Sequence, residues 1–150
     1  MLPKNHNVPQ IVEILLLNHR IAKIREPHDN SIHYLTQAKK IAEEANNPLG
    51  LGLVAEELAI HAYDHGEYEL AFQHFSTTEI NFLHAKNFRK IAETKYNLAC
   101  IAAQLHIPEN VISNLKGAIN LNPKFRTLAI QDSDFQGLKN NSLFQEALGE

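Results

Sequence analysis

Along this chain the apolar positions recur at helical spacing, and no run of about four to eight residues alternates cleanly enough to predict a strand. Valine is scarce and tryptophan is absent. Turn signals interrupt the helical stretches at regular places. In EPHDNS (26–31), Pro27 stops one helix and Asp29, Asn30 or Ser31 can cap the next. ANNPLG (45–50) puts Pro48 in a first helical turn, and DHGEY (64–68) is a glycine turn. HAKN (84–87) is a softer break, while Pro108 and Pro123 each open a further helix. The spacing predicts helices near 8–26, 30–46, 48–65, 68–85, 87–106 and 108–121, with shorter ones at about 123–131 and 142–148. The loops are short, so successive helices are expected to be antiparallel neighbours forming three hairpins.

The hairpins register on one another. Displaced by 40 residues, Ala22, Ala62 and Ala102 align, with His19, Ala59 and Ala99 beside them. In the second helices the same shift aligns Ser31, Ala71 and Val111, then Leu35, Phe75 and Leu115, then Ala38, Thr78 and Ala118. A helix pair repeated at fixed spacing is the signature of an α-solenoid, in which stacking completes a core that no hairpin can close alone.

Two stretches carry a family resemblance. LAIHAYDHGEYELAFQHF supplies Leu58-Ala59, Gly66-x-Tyr68, Ala71 and Phe75; YNLACIAAQLHIPENVISNLKGAINLNP supplies Tyr96 to Ala99, then Ala118-Ile119-x-Leu121-x-Pro123. In these residues the chain resembles the tetratricopeptide repeat (TPR) family. The first hairpin departs from the pattern, with Asn18 where the family has Leu. The usual TPR unit is about 34 residues, and armadillo and HEAT units run to about 40–47. The Gly-x-Tyr-x-x-Ala turn and the Ala…Pro ending favour TPR, with longer helices taking up the difference. The tail from Asn122 resembles the segment that closes many bacterial TPR arrays, through Pro123, Arg126, Ala129, Asp132, Asp134, Phe135, Leu138, Lys139 and Phe144. Phe125, Leu128, Phe135, Leu138, Phe144 and Leu148 are then expected to cover the last apolar face. The resemblance implies an all-α solenoid of three TPR-like hairpins (about 8–46, 48–85 and 87–121) with a cap at 122–150, in one domain spanning 1–150, and it points to a bacterial source.

Composition narrows the function. At 150 residues, with 44% apolar and 21% charged residues, the chain is long enough and apolar enough for one cored domain. A net charge of −3 argues against nucleic-acid binding, and KNFRK (86–90) reads as a solvated helix start. The single cysteine, Cys100, allows no internal disulfide and suggests a reducing compartment. ILLL (14–17) is too short and too polar-flanked for a membrane span. A soluble cytoplasmic protein is expected.

Catalytic chemistry finds little support. His61, Asp64 and His65, with His74 nearby, could supply metal ligands, but the stretch is not H-E-x-x-H and histidines are scattered along the chain. Cys100 sits in a helix that must pack tightly, where a small buried thiol is favoured over a nucleophile. Gly50 and Gly52 follow no strand, which excludes a dinucleotide fingerprint. No cofactor, metal or catalytic residue is therefore expected. The resemblance instead implies a concave groove lined by the first helix of each hairpin. Leu16, Arg20 and Lys23, then Glu56, Ile60 and Tyr63, then Tyr96, Asn97 and Cys100 occupy those positions. Tyrosine offers rigid contact, Asn97 could hold a peptide amide, and Arg20 and Lys23 could hold a carboxylate. Glu56 and Ile60 break the pattern of a two-carboxylate clamp. The expected activity is non-catalytic binding of a protein or peptide. A peptide-sensing regulator and a metal-dependent enzyme built on His61, Asp64 and His65 are the alternatives, and self-association is compatible with solenoid ends and grooves.

Overall fold

A computed structural model describes residues 7–25 and 31–149; the turn expected at 26–31 lies outside them except for Ser31. The described residues form α-helices α1 (Val8–Arg25), α2 (Ser31–Glu44), α3 (Pro48–Asp64), α4 (Tyr68–His84), α5 (Phe88–Gln104), α6 (Pro108–Leu121), α7 (Lys124–Gln131) and α8 (Ser142–Leu148). One short 3-10 helix, Ser133–Leu138, separates α7 from α8. Among the described residues there is no strand. The sequence pattern missed the 3-10 helix because so short an element carries no periodicity.

The turns explain the regularity. Asn46, Gly66, Lys86 and His106 all adopt positive φ, at 45°, 74°, 54° and 57°. They are evenly spaced, and Pro48, Tyr68, Phe88 and Pro108 each begin a helix two residues later. Each turn closes with the same pair of bonds. The amides of Asn47, Glu67, Asn87 and Ile107 donate to the carbonyls of Ala42, Ala62, Phe82 and Ala102. Those of Asn46, Gly66, Lys86 and His106 donate to Glu43, Tyr63, Leu83 and Ala103. This is the Schellman ending, which satisfies the last helical carbonyls by placing one residue in the left-handed region. Only Gly66 adopts that conformation without steric cost. Asn47 and Asn87 add side-chain caps, accepting from the amides of Gly50 and Lys90.

Each helix packs chiefly on its neighbours in sequence: α1 on α2, α3 on α4, α5 on α6, with α4 also against α5 and α8 against α6. Of the five sets that register at 40 residues, three are buried throughout, while Ala22 and Ser31 of the first hairpin are only half-buried. His19, Ala59 and Ala99 are buried, as are Leu35, Phe75 and Leu115, and Ala38, Thr78 and Ala118. Small residues let the helix axes approach. Gly52 is the tightest case, because a Cβ there would lie 2.5 Å from the ring of the buried Phe82. Gly52 is thus a packing residue between α3 and α4, which accounts for a glycine inside a helix.

Among the described residues the core falls into three clusters. The first joins α1, α2 and α3 around Val12, Leu16 and Leu35, and draws in Phe82 of α4 and Ile91 of α5. The second is small and runs through Ala59, Ala71, Phe75 and Ile101. The third is the largest and joins α5 and α6 to the tail through Tyr96, Leu115, Phe135, Phe144 and Leu148. Of the six side chains expected to cover the last face, Phe135, Phe144 and Leu148 are buried, and Phe125 stacks on Tyr96 at 4.9 Å between ring centroids. Leu128 is the exception; it points outward and is 48% exposed. At the other end, Ile14, Leu17, Ile21 and Ile24 form an exposed apolar stripe on α1. Among the described residues, no helix is long and apolar enough to cross a membrane.

Candidate functional site

Helix spacing and the closing segment together build a cleft. On α5, Tyr96, Cys100 and Gln104 fall four apart and share one face. The 3-10 helix lies against that face and brings Asp132 and Asp134 to it. Tyr96 donates its hydroxyl to Asp132 Oδ2 at 2.7 Å, and the Cys100 sulfur sits 3.9 Å from the same oxygen. Asp132 Oδ1 accepts the Asp134 amide at 3.0 Å, capping the 3-10 helix. Gln104 Nε2 donates to Asp134 Oδ1 at 3.0 Å. Facing these, α3 contributes Ile60 and Tyr63. The space between is a cleft of about 370 Å³, floored by Phe75 and Ile101 and flanked by Asn97.

Burial sets the protonation states here. Tyr96 is pushed far above its ordinary range, first by burial and then by its bond to Asp132. Burial likewise raises Cys100, and both carboxylates reinforce the shift, so its sulfur is a neutral thiol rather than a nucleophilic thiolate. Burial and the neighbouring Asp132 raise Asp134 above the usual carboxylate range. Tyr63 is raised by burial and then by Asp134.

The expected groove residues divide into two groups. Ile60, Tyr63, Tyr96, Asn97 and Cys100 converge on this cleft. Leu16, Arg20 and Glu56 line a second, more polar depression of about 330 Å³ with Glu13, Leu53, Arg89 and Lys90. Leu16 is only 3% exposed and belongs to the core. Glu56 is buried and held by Lys90 Nζ at 2.8 and 3.1 Å. Arg20 chelates the buried Glu57 through Nε and Nη2, at 2.8 and 2.6 Å, and that bond holds its guanidinium firmly protonated. Lys23 lies 3.6 Å from Asp64. The two cations expected to meet a partner's carboxylate already have acidic partners within the chain. His19, buried beside them, donates Nδ1–H to the Ser31 carbonyl and turns Nε2 toward Glu57 at 3.8 Å.

The histidine-rich stretch assembles differently from a metal centre. The His61 and His65 rings lie 4.2 Å apart by centroid, and His65 Nδ1 bonds the His61 carbonyl at 2.7 Å. Burial, then the neighbouring His65, lowers His61, which favours the neutral ring over the charged one. Among the described residues, the ligand atoms that converge belong to Cys100, Asp132 and Asp134, all within 4.8 Å of one another. Sequence reasoning saw the two aspartates as marks of the closing segment and did not join them to the groove. The signal that could have done so is the period-four lane of polar residues on α5 facing that segment.

Searched against protein-family models, curated proteins and solved structures, the chain matches none of them.

Proposed function

We propose that the chain is a TPR-like array of helical hairpins that captures a protein or peptide in the cleft between α3, α5 and the closing 3-10 helix, without catalysis. The observation that carries this is the convergence of Ile60, Tyr63, Tyr96 and Asn97 on one apolar-floored cleft. Support for the array comes from the four identical turns and the inward-facing positions of the 40-residue register. A cleft of this size holds one or two partner side chains, with aromatic walls for contact and a few polar groups for orientation. Among the described residues Asn97 has no side-chain hydrogen-bond partner, which leaves its amide available to a peptide backbone. The neutral Cys100 thiol supports a non-catalytic role.

A random peptide library panned on the immobilised full chain tests this. Selected peptides should bind Tyr63→Ala at least tenfold more weakly, with helical circular dichroism intact. Peptides that bind the variant as well as the parent would move the binding face elsewhere and overturn the proposal.

Self-association is a separate, compatible property, favoured by the exposed stripe Ile14, Leu17, Ile21 and Ile24. Its three-and-four spacing is the seam along which two helices interdigitate. Light scattering of Leu17→Lys against the parent checks it: equal masses would remove the stripe as an interface.

A further inference from the structure

The cleft carries a charge pattern that selects its occupant. Its described lining includes two carboxylates, Asp132 and Asp134, and no cation. The buried or part-buried carboxylates elsewhere in the fold are compensated: Glu56 by Lys90, Glu57 by Arg20 and Glu79 by Lys95. Among the described residues no Lys, Arg or His pairs with Asp132 or Asp134. Neutral hydrogen bonds satisfy Asp132: Oδ1 accepts the Asp134 amide, and Oδ2 accepts the Tyr96 hydroxyl and the Cys100 thiol. Among the described residues Asp134 accepts from Gln104 on Oδ1 and from the Cys100 thiol, both neutral donors. Two like charges are thus held together in a partly desolvated place with neither neutralised, an arrangement that a cation relieves.

Shape narrows the cation further. The floor is aliphatic and aromatic, from Ile60, Ile101 and Phe75, and suits a long alkyl stem. Tyr63 stands half-buried on the wall and offers a ring to a flat cation. A guanidinium meets these demands together. Its planar fork donates to acceptors on two carboxylates at once, its face packs on an aromatic ring, and it sheds water more readily than an ammonium. Resting on the peptide-binding function proposed above, we propose that the cleft receives an arginine side chain of the partner. The alkyl stem lies on Ile60 and Ile101, the guanidinium meets Asp134 and Asp132 beside Tyr63, and Asn97 holds the backbone that carries it.

The test uses individual peptides from the panned library, on the full chain, by fluorescence anisotropy. Selected peptides should share one arginine. Replacing it with citrulline keeps the shape, removes the charge, and should weaken binding at least tenfold; lysine should bind between the two. Asp134→Asn should weaken the arginine peptide by a similar factor and leave the citrulline peptide nearly unchanged. The ligand-side exchange needs no folded variant, so it decides the matter even if Asp134→Asn proves unstable. Peptides that lose affinity in Tyr63→Ala but carry no arginine, or bind equally with citrulline, would sink the arginine assignment and leave the groove standing. Selected peptides indifferent to Tyr63→Ala would remove both.

Discussion

The fold holds two acidic pairs, Glu56 and Glu57 on α3 and Asp132 and Asp134 in the closing segment against α5, and treats them in opposite ways. Glu56 and Glu57, adjacent on α3, are buried, and each is clasped by a cation from a different helix: Lys90 of α5 and Arg20 of α1. Asp132 and Asp134, at the start of the 3-10 helix, are partly open and meet neutral donors: a phenol, a thiol, an amide side chain and a backbone N–H. The first pair is structural. It ties α3 to its neighbours on either side, because a buried carboxylate without its cation is strongly unfavourable. The second is kept in place by groups that can hold a carboxylate's geometry but cannot cancel its charge. An acid that a fold orients without neutralising is suited to something arriving from outside.

The largest effect should come from breaking the compensated pair. Lys90→Met leaves Glu56 buried without a cation and should cost about 2–4 kcal/mol in urea unfolding. Adding Glu56→Gln to Lys90→Met should recover much of that loss. If the double variant is as unstable as the single, the charge on Glu56 is not the cause. A smaller effect is expected from the neutral donor of the second pair. Tyr96→Phe removes the bond to Asp132 and should cost about 1–2 kcal/mol, also read from urea unfolding, with the ring packing against Phe125 and Phe135 retained.

The smallest effect has the opposite sign. Asp134 has a folded-state value raised above its unfolded one. Between those two values the folded state binds more proton, so the ionised group weakens stability as pH rises through that window. Asp134→Asn should therefore give a slight gain in thermal midpoint at pH 7. The gain should shrink as pH falls below the window, where Asp134 is protonated in both states. A loss of stability at pH 7 would show that Asp134 serves the fold itself, and the contrast between the two pairs would collapse.

The helices were largely legible in the sequence, for identifiable reasons. Pro48, Gly66 and Pro108 each mark a turn by the one conformation they enforce or permit, and the observed helices start at Pro48, Tyr68 and Pro108 as the spacing predicted. Lys86 and His106 adopt the same left-handed conformation without advertising it, since neither residue type prefers it. They are recognisable only through their even spacing from Gly66. The candidate site was half legible. Tyr63, Tyr96 and Asn97 fall on groove positions that local register reaches. Asp132 and Asp134 come from the closing segment, more than a helical hairpin away in sequence, and only the packing of that segment on α5 brings them in. The internal partners of Arg20 and Glu56 were hidden for the same reason: Glu57 and Lys90 lie 37 and 34 residues away.

The evenly spaced turns also work as a reading frame. One residue inserted in α4 would rotate every later side chain on that helix by about 100°, moving Phe82 off Gly52. A tandem duplication of a whole hairpin would leave each later residue in phase with its neighbours. In the array proposed above, length would change by whole units, and copying a unit would be the edit that does least harm. The aspartates would not be copied with it, because they belong to the closing segment. However many units came before, the acidic cleft would occur once, at the end.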